Sequence, residues 1–237
     1  MQKEVASKIP KHVGIIMDGN GRWATLNGKE RSFGHVVGSQ NVDRIVTHAF
    51  KSGVTTLSLY AFSSENWNRP KKEVDALMDI LTAYFTNFLS NADLKGVRLI
   101  VSGDLSVLPK QLKEIIYFNM QQTISFKDKV LNIAINYGGR QEIVYAVKNL
   151  IKENREITTE NISSFLYTAE FGEPDLIIRT GGEKRISNFM LFQGAYSELY
   201  FTDVLWPDFN GAEFDKALLD YSKRKRRFGV LGEENEN

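Results

Sequence analysis

Six short apolar runs rich in β-branched residues mark the chain, at 13–17, 54–60, 97–101, 130–136, 176–178 and 199–204. Each is followed by glycine or polar residues and then by a longer amphipathic segment. Runs that are apolar on both faces, rather than alternating, belong to strands covered on both sides. The pattern predicts an α/β fold: a single domain over 1–237, with a mostly parallel central sheet of about six strands flanked by helices. Ligands of such sheets collect beyond the carboxyl ends of the strands, and Asp18, Ser63, Gly103, Tyr137 and Thr180 all fall at such ends.

The segment 70–90 opens with proline and carries Val74, Leu77, Met78, Leu81, Tyr84, Phe85, Phe88 and Leu89 at helical spacing. A stripe of this kind is normally a core-facing helix side. A second reading is the wall of an apolar ligand channel, which the three aromatics and the methionine also suit. Residues 1–10 and the Glu- and Asn-rich tail 230–237 read as flexible.

Composition narrows the classes. A chain of 237 residues with 42% hydrophobic content is the size of one sizeable core. A net charge of +1 offers no global attraction to nucleic acid or an acidic membrane, so anion binding has to be local. There is no cysteine, which excludes disulfides, thiolate metal sites and thiol catalysis. The N-terminal residues lack an apolar signal core and no run of about 18 apolar residues occurs, so a cytoplasmic location is expected.

The first apolar run ends in Asp18-Gly19-Asn20-Gly21-Arg22-Trp23. Gly19 and Gly21 permit a tight turn whose N–H groups can face one oxyanion, and Arg22 adds a forked donor. Asp18 would repel that anion unless a divalent cation lies between them, one carboxylate oxygen and phosphate oxygens sharing it as they share magnesium. A hairpin at Asn-Gly and a dinucleotide loop at Gly19-x-Gly21-x-x-Ala24 compete with this reading. The stretch 24–34 lacks strand alternation and reads as an irregular loop, with Gly28 and Gly34 breaking any helix; the second run ends in Ala61-Phe62-Ser63-Ser64, without the acidic residue a dinucleotide needs. Arg31, and His35 near the start of a helix to about Phe50, can reach a further phosphate.

Two more clusters follow strands. One is Ser63-Ser64-Glu65-Asn66-Trp67-Asn68-Arg69-Pro70, more polar than a capped helix entry requires. The other is Arg179-Thr180-Gly181-Gly182-Glu183-Lys184-Arg185-Ile186-Ser187-Asn188, which has no Gly-Lys-Ser/Thr for a Walker loop but offers Arg179, Arg185 and Ser187 as a second anion clamp. Two anion sites, one with metal, point to two phosphorylated substrates that meet.

Together with Asn136-Tyr-Gly-Gly-Arg140 and the string from Ser197 to Phe209, these segments resemble the bacterial cis-prenyltransferases, in order from about Pro10 to Gly229. The resemblance implies that Asp18 holds Mg2+ on the diphosphate of farnesyl diphosphate, cradled by Gly19, Asn20, Gly21 and Arg22 with Arg31 and His35. Isopentenyl diphosphate is implied on Arg179, Arg185 and Ser187 with Arg69 nearby. Trp23, Ser63, Ser64, Glu65, Trp67 and Ile186 complete the implied substrate positions, and Asn66 stands at the proton-acceptor position. Glu198 is implied as the other metal ligand, with 227–229 crossing a homodimer to the partner's diphosphate. Lys184 departs from the histidine that several relatives carry.

The implied product is a long cis-polyprenyl diphosphate, most simply undecaprenyl diphosphate for a cell-wall lipid carrier, grown in an apolar tunnel walled by the 70–90 helix. It would partition to the membrane, placing the enzyme at the inner membrane face during release. Ile135 and the aromatic helix face are candidates for the tunnel floor. A product of another length, and a non-catalytic partner subunit of the same fold, are the alternatives; the second should have lost Asp18 and the arginines, which are present here. Nucleic acid is not an expected partner, the basic run 223–227 being better read as part of the substrate clamp. Trans-prenyltransferases are excluded because their paired aspartates are missing: no Asp-Asp occurs.

Overall fold

The computed structural model describes residues 8–224. The tail 230–237 and the segment 227–229, expected from the resemblance to cross a dimer, lie outside the described residues, as do 1–7; of the remaining N-terminal residues Pro10 is buried. The strands are β1 (His12–Ile16), β2 (Thr56–Ser63), β3 (Arg98–Ser102), β4 (Val130–Tyr137), β5 (Leu176–Arg179) and β6 (Glu198–Phe201). The helices are α1 (Asn20–Leu26), α2 (Arg31–Lys51), α3 (Lys71–Asn87), α4 (Lys110–Thr123), α5 (Gly139–Lys152), α6 (Thr159–Phe165) and α7 (Gly211–Lys223). All six strands join one sheet in the order β3-β4-β2-β1-β5-β6, and every pairing is parallel.

From the central β1 the chain first moves to β2, then returns across the sheet from β4 to β5. The order therefore reverses beside β1, and the crevice at the carboxyl ends of β1 and β5 is the switch point where open α/β sheets bind ligands. One face of the sheet carries Val13, Ile15, Leu57, Leu59, Leu99, Leu131 and Ile133, in one cluster with residues of α2, α3, α4 and α7. The other face carries Ile16, Tyr60, Ala134 and Ile177 against Phe189 and Met190.

The segment 24–34 is not an irregular loop. α1 runs to Leu26 and α2 starts at Arg31, with Gly34 and Gly38 inside it. Each interior glycine costs a helix about 1 kcal/mol of propensity, but here it allows two helices to touch. A Cβ on Gly34 would lie 2.0 Å from the Asn20 carbonyl oxygen, and one on Gly38 2.0 Å from Asn20 Oδ1. The glycine-rich turn does open into a helix, so helix breaking is no argument against a dinucleotide loop; the lack of an acidic residue at the end of β2 still is. No hairpin forms, because Gly19, at φ 106°, caps α1.

A buried polar ladder crosses the second face. His12 Nδ1 faces the Gly172 carbonyl at 3.1 Å, which fixes the Nδ1–H tautomer and leaves Nε2 to accept from Ser58 Oγ at 2.8 Å. Asn132 donates to Ser58 Oγ at 3.0 Å and accepts from Ser102 Oγ at 2.7 Å. Burial pushes the His12 pKa from 6.5 down to about 4. The folded protein thus keeps His12 neutral while the unfolded chain takes up a proton, and stability present above pH 6.5 is lost as pH falls toward 4. This linkage corresponds to about 3 kcal/mol. In urea unfolding between pH 4.5 and 7.5, His12→Gln should flatten the acid-side slope; an unchanged slope would mean other groups govern it.

Candidate active site

The switch point is held by one ion pair. Asp18 lies two residues past β1, and its Oδ2 accepts from Arg179 Nη2 at 2.9 Å from the end of β5. The Asp18 backbone is pinned as well: its carbonyl accepts from Thr180 Oγ1 at 2.7 Å and from the Trp206 N–H at 3.0 Å. Asp18 Oδ1 accepts from the Gly19 N–H at 2.6 Å, and Arg22 Nη2 stands 3.6 Å from Oδ2. The Arg179 side chain is nearly fully buried; its Nη1 donates to Ser187 Oγ and to the Arg185 carbonyl, both at 2.6 Å, while Nε is buried without a partner. Ser187 and Asn188 adopt φ of 46° and 63°, a conformation costly for non-glycine residues that is usually found where the surroundings enforce it at a site.

Beside this pair a second cationic group gathers on a carboxylate. Glu73, in the first turn of α3, accepts from Arg69 Nη1 at 2.9 Å and faces His35 Nε2 at 3.3 Å and Arg31 Nε at 3.9 Å. Burial first, and the Arg69 charge second, lower the His35 pKa, so at neutral pH the ring is an uncharged hydrogen-bond donor. Gly21 makes room for this group: a Cβ there would fall 2.6 Å from Arg31 Cζ.

Between the clusters opens a cavity of about 820 Å3. Its mouth is lined by Asp18, Asn20, His35, Ser63, Glu65, Asn66, Arg69, Arg179, Arg185 and Ser187. Its inner wall is apolar and runs between α2 and α3 over Val42, Leu59, Leu77, Ile80, Leu81 and Ile133. Charged groups at one end and aliphatic walls at the other fit an amphiphile with an anionic head.

Residues 16–229 match a family model described as "Putative undecaprenyl diphosphate synthase". The chain belongs to this family. An isoprenyl transferase of Fusobacterium nucleatum is 50% identical over 223 residues, covering 93% of this chain and 96% of that protein. The ditrans,polycis-undecaprenyl-diphosphate synthase ((2E,6E)-farnesyl-diphosphate specific) of Photorhabdus laumondii is 44% identical over 235 residues, 96% and 92% of the two chains. Among solved structures, lavandulyl diphosphate synthase from Lavandula x intermedia, in complex with dimethylallyl diphosphate, superposes with a TM-score of 0.87 at 34% identity, covering 93% of this chain and 98% of that one.

Some positions expected from the sequence serve the prenyltransferase fold rather than the cavity. Trp23 donates to Asp208 Oδ1 at 2.8 Å and stacks on Phe33. Trp67 donates to Asn136 Oδ1 at 2.9 Å with its ring edge-on to Phe62. Ser64 Oγ is buried near Gly138, and Ile186 packs on the second core cluster. Arg69 sits with Arg31 and His35 through Glu73, not with Arg179. Glu198 does not join Asp18 within one chain: it pairs in register with Leu176, itself level with Val13, roughly 16 Å of strand from Asp18. It is held there by Arg224 Nη1 at 2.7 Å, which makes Arg224 of the basic run a structural anchor. Lys184 is exposed. Glu73 and Gln141 lie at the site although the sequence reading did not single them out, and Arg140, named there only within a motif, also lines the cavity; the Arg69/Glu73 spacing of four on a helix entry was the available signal for Glu73.

Gly34→Ala tests how far the mouth depends on the α1–α2 contact. Overpacking against Asn20 should cost about 1–3 kcal/mol in thermal or urea unfolding and displace α1, lowering ligand affinity at the mouth. A variant as stable as the parent would show that α1 is not pinned there.

Proposed function

We propose that this enzyme is a Mg2+-dependent cis-prenyltransferase that condenses isopentenyl diphosphate units onto farnesyl diphosphate to give a long polyprenyl diphosphate, undecaprenyl diphosphate being the product its relatives' names favour. The observation that carries the reading is the single cavity joining an arginine-rich mouth to an aliphatic interior. Asp18 fits a divalent cation in the way magnesium is usually held, by one carboxylate with the rest of the shell from phosphate and water; among the described residues no cluster of three acidic or histidine side chains forms a closed metal site. Bound between Asp18 and a diphosphate, Mg2+ would supply positive charge where the leaving group gathers negative charge.

In this reading Arg22, Arg31 and His35 hold the allylic diphosphate, and Arg179, Arg185 and Ser187 hold isopentenyl diphosphate. The allylic carbon–oxygen bond breaks, diphosphate departs with the electron pair, and the alkene of the second substrate forms the new carbon–carbon bond. Loss of a proton from the resulting cation leaves the new double bond. Arginines aimed at the departing oxygens favour the transition state more than the ground state. Asn66 Oδ1 already accepts the Ser63 N–H at 3.1 Å within a capping box, so its role is to fix the 64–68 turn, and the proton goes to a diphosphate oxygen.

The same reading includes a homodimer. β6 is the outermost strand, and Leu199 on it and Leu219 on α7 are exposed by 37% and 56%. Cytoplasmic location, with contact at the membrane only during product release, follows from the product's chemistry; no helix among the described residues is long and apolar enough to cross a membrane.

Farnesyl and isopentenyl diphosphates incubated with the protein and Mg2+ should give a ladder of longer prenyl diphosphates by mass spectrometry. Asp18→Ala should fold yet lose turnover by orders of magnitude, and near-normal rates at saturating Mg2+ would remove the metal role. Arg179→Ala should raise KM for isopentenyl diphosphate more than for the allylic substrate; the reverse order would exchange the two sites. Sedimentation should give twice the chain mass of 27.0 kDa, and an active monomer would end the dimer reading.

A further inference from the structure

The 185–188 loop is held from two sides. On one, Arg179 takes the Arg185 carbonyl and Ser187 Oγ. On the other, the Asn188 carbonyl accepts the Gly139 N–H at 2.7 Å and Asn188 Oδ1 accepts the Arg140 N–H at 2.9 Å. These are the first two donors of α5, which its own N-cap residue, Gly138, has no side chain to satisfy. Asn188 Nδ2 donates to Glu65 Oε1 at 2.9 Å and to Gln141 Oε1 at 3.0 Å. Two acceptors on the nitrogen and a backbone donor on the oxygen fix the orientation of this amide.

One side chain thus joins three segments at the carboxyl end of the sheet: the loop after β5, the start of α5 after β4, and the 64–68 turn after β2. They meet over Gly138. A Cβ there would lie 2.3 Å from Gln141 Oε1, 2.6 Å from Asn188 Nδ2 and 2.7 Å from Ser64 Oγ. The Gly138 backbone is extended, so it is these neighbours that require glycine. Burial acts to raise the Glu65 pKa, but the hydrogen bonds, that from Asn188 foremost, outweigh it and hold the carboxyl below its ordinary value. The amide therefore donates to a charged group.

Ser187, Asn188 and Met190 all adopt left-handed backbone conformations, whose cost the surroundings must offset. Arg179 secures only the Ser187 side. We propose that Asn188 is a positioning residue: by tying the Arg185–Ser187 clamp to α5 and to Glu65, it holds that clamp in the shape that receives the second diphosphate. The inference rests on the assignment of isopentenyl diphosphate to Arg179, Arg185 and Ser187.

Two variants test it by different routes. Asn188→Gly keeps the left-handed backbone and deletes the amide, whereas Gly138→Ala leaves Asn188 intact and pushes its amide off Glu65. Calorimetric binding of isopentenyl diphosphate, with Mg2+ present and farnesyl thiodiphosphate blocking turnover through its resistant C–S bond, reads the clamp; thermal unfolding reads the fold. Each variant should weaken binding about tenfold, the scale of one hydrogen bond to a charged group, and raise KM for isopentenyl diphosphate while leaving the allylic KM unchanged. Asn188→Asp sets a carboxylate against Glu65 and should bind worse still, and adding Glu65→Gln, which restores a donor between the two, should return affinity toward that of Glu65→Gln alone. Unchanged affinity in the folded variants, an equal KM rise for both substrates, or loss of folding in both Asn188→Gly and Gly138→Ala would overturn the proposal and leave Asn188 a structural cap of α5. A parent that binds no isopentenyl diphosphate, or binds it undiminished after Arg179→Ala, would instead overturn the site assignment beneath it.

Discussion

The ion pair between Asp18 and Arg179 is the contact on which the site is built. Parallel pairing of β1 with β5 brings their carboxyl ends level, so a carboxylate and a guanidinium that are 161 residues apart in sequence meet at 2.9 Å. A buried guanidinium is tolerable only with partners of high quality. Arg179 finds them in Asp18, Ser187 Oγ and the Arg185 carbonyl, and satisfying it draws the 185–188 loop into its left-handed turn. The segments after β1 and β5 become one mouth because Arg179 is bonded to both.

The same pair bears on how a carboxylate could sit in the proposed anion site. Arg179 and Arg22 offset the Asp18 charge; in the proposed reading an arriving diphosphate would compete for those guanidinium donors and share a cation with Asp18. Across the mouth, Glu73 plays a comparable part, holding together the Arg31 and Arg69 guanidiniums, which would otherwise repel one another, with the His35 ring also facing it.

The sheet divides two demands between its faces. One face, with α2 and α3 over it, keeps aliphatic walls open near the carboxyl ends and a packed core below. The other face carries the His12–Ser58–Asn132–Ser102 ladder, whose hydrogen bonds tie four neighbouring strands in register. The helix of 70–90 serves both readings at once: Val74, Met78, Phe85 and Phe88 are core, while Leu77, Leu81 and Tyr84 line the cavity.

Strand positions were legible in the sequence because strands buried on both faces are predominantly apolar, and the site clusters were legible because glycine and charge directly after such a strand have few other uses. The α1–α2 stretch was misread as loop, since local propensity counts Gly34 and Gly38 as breakers and carries no information about the Asn20 atoms that need their missing side chains. Which charges meet was equally hidden: the Asp18–Arg179 pair, the grouping of Arg69 with His35, and the distance of Glu198 from Asp18 all depend on strand order and register. Local chemistry thus decided which groups the chain brings to its strand ends, charged and glycine-rich clusters beside aliphatic helix faces. Tertiary packing decided where these groups meet, because close contact between distant segments is a property of the folded sheet and not of any stretch of sequence.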